Sequence, residues 1–83
     1  MKTVKGVASL LSQCVSNMDR YKIPEPTSIE IESDEVDGLI SLRWDKKCYL
    51  DIFDRSILVW GRGEDSKEFN DLDTAFRKVV EYV

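Results

Sequence analysis

Between Leu39 and Trp60 the chain reads LISLRW, DKK, CYLDIF, DRS and ILVW. Three strand-like segments are separated by two short polar turns, and this constrains the fold more than anything else in the sequence. Side chains in a strand alternate between faces, and hairpin loop length fixes which residues stand opposite one another. With Asp54-Arg55 as a two-residue loop, Phe53 faces Ser56, Ile52 faces Ile57 and Leu50 faces Val59. With Asp45-Lys46-Lys47 as a three-residue loop, Trp44 faces Cys48, Leu42 faces Leu50 and Ile40 faces Ile52. One face of the sheet then holds Ile40, Leu42, Trp44, Cys48, Leu50, Ile52, Ile57 and Val59, extended by Ile29 and Ile31. The other holds Leu39, Ser41, Arg43, Tyr49, Asp51, Phe53, Leu58 and Trp60. The first face is a core. The second is rich in aromatic side chains.

The flanking segments supply cover for one face only. Val4, Val7, Ala8, Leu11, Cys14, Val15 and Met18 recur at three- and four-residue spacing, the stripe of an amphipathic helix. That helix should stop before Ile23-Pro24, since proline pushes the preceding residue out of the helical region. The stiff connector Ile23–Thr27 turns the chain into a first strand at about Ser28–Glu32, where Ile29 and Ile31 alternate with Glu30 and Glu32. Residues 33–38 read as a turn and residues 61–66 as a solvated loop. A last helix from about Asp71 has Leu72, Ala75, Phe76, Val79, Val80 and Val83 as its stripe and Asn70 as its expected N-cap. The expected fold is one α+β domain over residues 1–83, in the order α-β-β-β-β-α. Its four-stranded antiparallel meander carries both helices on one face.

Charge and chemistry narrow the function classes. The chain has 83 residues, no histidine and a net charge of −4. Lack of histidine removes the commonest general base and transition-metal ligand. The acids are concentrated: Glu25, Glu30, Glu32, Asp34, Glu35 and Asp37 follow one another with no intervening base. A nucleic-acid binder shows the opposite, a basic face, so direct binding to DNA or RNA is not expected. An EF-hand reading of residues 33–44 fails, because Ser33 and Trp44 would occupy positions that need carboxylates. Asp51 and Asp54 lie three apart on a strand entering a turn and diverge, so they form no acid/base pair. Gly61-Arg62-Gly63 lacks the context of a phosphate cradle and reads as a bend at a strand end. Two cysteines, Cys14 and Cys48, each on an apolar face, read as buried free thiols in a reducing cytoplasm. No apolar run approaches the ~20 residues of a membrane span. The expectation is therefore no enzyme, no cofactor and no metal.

Two surfaces remain as candidate binding sites. Arg43, Tyr49, Phe53, Leu58 and Trp60 present the residue types enriched at interface hot spots. Glu30, Glu32, Asp34, Glu35 and Asp37 form a negative segment suited to a basic partner, such as a nucleic-acid-binding protein. Alternatively, the aromatic face pairs with a second copy, or the connector covers it.

Pro24-Glu25-Pro26, Asp37-Gly38 and the alternation Leu39-Ile40-Ser41-Leu42-Arg43-Trp44 make up a wider pattern. In these motifs the stretch from Pro24 to Trp60, under half the chain, resembles a loose group of small, mostly uncharacterised bacterial and phage proteins. Arg43 departs from the acidic residue expected at its place. The resemblance implies an accessory protein of a bacterium or mobile element with a small antiparallel sheet, and it transfers no active site. An inhibitor, immunity or antitoxin-like role fits that setting.

Overall fold

The computed structural model describes residues 4–31, 38–53, 56–61 and 63–83. Helix α1 (Val4–Tyr21) leads into strands β1 (Ser28–Ile31), β2 (Gly38–Trp44), β3 (Cys48–Phe53), β4 (Ile57–Gly61) and β5 (Lys67–Phe69), and helix α2 (Leu72–Tyr82) follows. The sheet is an antiparallel meander in the order β1-β2-β3-β4-β5. The architecture is the expected α+β class with one strand more.

The register agrees with the loop arithmetic. Trp44 pairs with Cys48, Leu42 with Leu50 and Ile40 with Ile52. Leu50 pairs with Val59, Ile52 with Ile57 and Tyr49 with Trp60. Beyond β3, the Phe53 N–H donates to the Ser56 carbonyl at 2.8 Å. All eight side chains assigned to the core face are buried. They meet Ala75, Phe76, Val79 and Tyr82 from α2, and Cys14 from α1. Helix α2 lies over β3, β4 and β5, while α1 packs on β2 and against α2. Both helices thus sit on the core face.

Local chemistry explains each boundary. At the end of α1, Lys22 adopts a left-handed φ of 56°. The Ile23 N–H bonds the Met18 carbonyl at 2.9 Å and the Lys22 N–H bonds the Asp19 carbonyl at 3.3 Å, the double closure of a Schellman cap. Buried Ile23 then tucks under the helix end. The Trp44 indole N–H donates to the Pro24 carbonyl at 2.8 Å. The Thr27 hydroxyl donates to the Arg43 carbonyl and accepts from the Asp45 N–H. These three bonds seat the connector against the β2–β3 turn. That turn is closed by the Lys47 N–H on the Trp44 carbonyl at 2.9 Å, with Asp45 at φ 54°. Gly61 lies so close to β3 that an added Cβ would fall 2.3 Å from the Lys47 carbonyl oxygen, so no larger residue fits there.

Three expectations change. Strand β4 runs through Gly61, and Lys67–Phe69, left outside any strand by the sequence, pairs with β4 as β5. Phe69 then turns its side chain towards the core. The N-cap of α2 is Asp71 rather than Asn70. Its carboxylate accepts from the Thr74 N–H at 2.9 Å and from the Thr74 hydroxyl at 3.0 Å, so one residue donates twice to the cap. Ile29 and Ile31 do lie on the core face, opposite Leu42 and Ile40, yet each remains 49% exposed, because neither helix reaches over β1. For the same reason Val15, on the α1 stripe, is 53% exposed.

Candidate functional site

The outer face of the sheet is organised in rows set by the register. One row runs Ser28, Arg43, Tyr49, Trp60 across β1 to β4. The next runs Glu30, Ser41, Asp51, Leu58, Glu68 across all five strands. Phe53 stands one row further on, opposite Gly38. The first row is cationic and aromatic. The second is acidic at both edges and at its centre.

Side chains within the rows hold one another. Tyr49 and Trp60 pack edge to face, with ring centroids 6.1 Å apart and an interplanar angle of 66°, an arrangement favoured by the ring quadrupoles. The Arg43 guanidinium lies over the Tyr49 ring, 5.6 Å from its centroid, within cation–π range. The same guanidinium reaches Glu30 Oε1 at 4.0 Å, a long and exposed ion pair worth little on its own. The Ser41 hydroxyl donates to Asp51 Oδ1 and fixes that carboxylate within the second row. Tyr49, Asp51, Phe53, Leu58 and Trp60 are each partly buried, although no helix covers them. The Tyr49–Trp60 contact shields the edges of those two rings, and all five side chains keep part of their surface open to solvent. A face of this kind offers rigid aromatic area beside fixed negative charge, which suits a partner carrying arginine or lysine.

Of the residues singled out by the sequence, Arg43, Tyr49, Phe53, Leu58, Trp60 and Glu30 are together on this face. Glu32, Asp34, Glu35, Asp37 and the side chain of Leu39 lie outside the described residues, as does the Asp54-Arg55 loop. Sequence reasoning missed Glu68, which joins the acidic row only because β5 exists. It also missed that, among the described residues, the most exposed large apolar side chains are elsewhere. Val15, Ile29, Ile31 and Val80 all lie on the helix side of the molecule.

Other titratable groups have structural work. Cys14 and Cys48 are free and buried, as expected. Burial pushes the Cys14 thiol up to about 11 and the Cys48 thiol up to about 12, so neither is a nucleophile near neutrality. The Tyr21 hydroxyl donates to Asp73 at 2.5 Å, and Arg20 and Arg77 flank the same carboxylate at 3.1 and 3.2 Å. The tyrosine hydrogen bond first, then the two guanidinium charges, hold the Asp73 carboxyl below its usual range. This cluster clasps α1 to α2. The Tyr82 hydroxyl donates to Glu64 at 2.8 Å, tying the loop after β4 to α2. A shallow cavity of about 260 Å³ lies between Pro24, Thr27, Trp44, Lys47 and Val83, against the connector. Among the described residues, no group of three or more cysteine or acidic side chains is placed to hold a metal ion. Among them, too, no helix is long and apolar enough to cross a membrane. Comparison with protein-family models, with curated proteins and with solved structures finds no match.

Proposed function

We propose that this chain is a non-enzymatic binding protein that occludes a basic site on another protein with the outer face of its sheet. The observation that carries the reading is the pair of rows. Tyr49, under Arg43 and packed edge to face with Trp60, stands beside the row that carries Glu30, Asp51 and Glu68. The aromatic pair anchors the contact, because rigid aromatic side chains lose little conformational entropy on binding and bury large areas. The carboxylates steer a cationic surface into place and set its orientation. A partner that normally binds nucleic acid presents such a surface, and the acids then stand in for phosphates. The bacterial or phage accessory setting implied by the resemblance, with an inhibitor, immunity or antitoxin-like role in the cytoplasm, agrees with this mechanism. A second copy that buries the aromatic face is the competing reading, and the same variants separate the two.

The test is calorimetry and stopped-flow association with a purified partner captured from the source cells. Trp60→Ala should weaken binding by roughly 30-fold or more, the scale of a hot-spot residue. Glu30→Lys with Glu68→Lys should mainly slow association and flatten its salt dependence. Unchanged affinity and rate in both variants would remove the outer face from the mechanism. A wild-type dimer that Trp60→Ala dissociates would instead support self-association through that face.

A further inference from the structure

The helix layer is one helix short. Helix α2 covers β3 to β5 and α1 covers β2, so among the described residues nothing lies above the core face of β1. The flank of α1 that borders this gap follows from helix geometry. Arg20 and Tyr21 reach Asp73 on α2 and mark the side facing α2. At about 100° per residue, Ala8, Leu11 and Val15 fall away from that side, towards β1. Ala8 and Val15 are exposed there, and Leu11 is partly so. Below them, Ile29 and Ile31 form a half-exposed apolar floor. The wall and floor of an empty slot are therefore both apolar. Beside the slot, β1 is an edge strand, with all four residues exposed and no neighbour on its outer side among the described residues.

We propose that a second copy of this chain occupies the slot, by antiparallel pairing of β1 with the partner's β1 about a two-fold axis normal to the sheet. Such an axis keeps each face on its own side, so paired residue numbers must have an even sum. Two central registers satisfy this. One places Glu30 opposite the partner's Glu30, and like charges directly opposed are unfavourable. The other places Ile29 opposite the partner's Ile29, and Ser28 opposite the partner's Glu30. In that register Arg43, which stands beside Ser28 on the outer face, looks across a small serine towards the partner's Glu30. Two strand spacings, about 10 Å, separate their backbones, and an extended arginine and glutamate together bridge that span. Symmetry makes the contact twice. Charge complementarity thus selects both the occupant and the register, and the long Arg43–Glu30 pair within one chain is exchanged for one between chains.

The helices agree with this placement. Three strand spacings separate β2 from the partner's β2, about 14 Å. A helix with its side chains is about 10–12 Å across. The two α1 helices then stand side by side with their apolar flanks facing each other. Four isoleucines, two from each copy, fill the floor between them. The result is a continuous ten-stranded sheet whose aromatic outer face is doubled rather than covered, so this dimer leaves Tyr49 and Trp60 open and shares only Arg43 and Glu30 with the reading given above for that face. A four-residue strand edge is a small interface, and association in the micromolar range is expected.

Sedimentation velocity tests this across a concentration series reaching about 100 µM. The wild-type chain should dimerise, and Ile29→Lys should be monomeric with an unchanged circular dichroism melt. The decisive arm uses two charge variants, Glu30→Arg and Arg43→Glu. Each alone should associate at least 10-fold more weakly than wild type. Mixed in equal amounts, they should recover association, because the mixed dimer restores both inter-chain pairs while the repulsion inside each chain remains. A wild-type monomer at the highest concentration overturns the proposal. So does a dimer indifferent to Ile29→Lys, or a mixture no tighter than its components.

Discussion

Raising the pH should destabilise this protein through its two thiols. Cys14 is 1% exposed and Cys48 is not exposed, and burial holds their ionisation near 11 and 12 instead of the ordinary 9.0. Between these values the unfolded chain gives up protons that the folded chain keeps. Fewer protons on the unfolded state means that stability falls as pH rises. The stabilisation is fully present below pH 9, and it is lost progressively as the pH climbs through the folded values. At pH 10 an unfolded thiol gains about 1.4 kcal/mol from ionisation, and the folded ones gain almost nothing, so the pair removes about 3 kcal/mol relative to pH 7. That is a large share of the 5–15 kcal/mol typical of a whole domain. Tyr82, raised chiefly by its bond to Glu64, and Lys78, raised chiefly by Glu81, lose stability in the same direction. The comparison must therefore be internal. Urea unfolding under reducing conditions at pH 7, 8, 9 and 10 is measured for the wild type and for Cys14→Ala/Cys48→Ala. The double variant carries a constant packing loss but should fall less steeply by about 3 kcal/mol over this range. Parallel slopes for the two proteins would refute the reasoning, because they would mean that the thiols ionise as freely when folded as when unfolded.

Three local features make sharper, smaller predictions. Lys22→Gly should raise stability by about 0.5–1 kcal/mol, because Lys22 sits at φ 56° in the Schellman cap, where a Cβ is unfavourable. For a domain of this size that is a rise of roughly 4 °C in Tm by calorimetry, and no rise would mean that the cap is not formed in solution. Gly61→Ala should cost about 2 kcal/mol or more, since its Cβ meets the backbone of Lys47 and Cys48 rather than a movable side chain; a denaturation midpoint equal to wild type would show that β3 and β4 are further apart. Asp71→Ala should lose about 1 kcal/mol by removing the α2 cap, whereas Asn70→Ala should be near neutral, which a pair of thermal melts decides.

The sheet was legible because two rules sufficed. Alternation fixed the face of each side chain, and turn length fixed the partner, so the buried set from Ile40 to Val59 follows from the residues alone. Strand β5 obeys neither rule. Lys67-Glu68-Phe69 is too short to alternate and mostly charged, and it becomes a strand only because β4 offers an edge. With it went Glu68, the far end of the acidic row. The α1 stripe failed in another way. Its periodicity is real, but a stripe as broad as Val4–Met18 can be buried on either flank. Which flank is used depends on where α2 sits, and that is settled by contacts more than 50 residues apart, such as Tyr21 with Asp73. Aromatic face and core could be told apart from sequence, whereas the bare strip over β1 could not.

The two tryptophans divide along the same line. Trp44 is 3% exposed on the inner face, with its indole N–H bonded to the Pro24 carbonyl. Trp60 lies on the outer face against Tyr49. Excited near 295 nm, the chain therefore carries two separate optical channels. The indole of Trp44 emits from a dry site and changes when the connector lifts or the core opens, so Trp60→Phe leaves a pure folding signal. Trp60 emits from a partly wetted surface, so Trp44→Phe, under conditions where the protein stays folded, leaves a signal that moves when something settles on that surface. Each event can then be timed without attaching a dye, and an experimenter can ask whether occupation of the outer face is felt on the inner one.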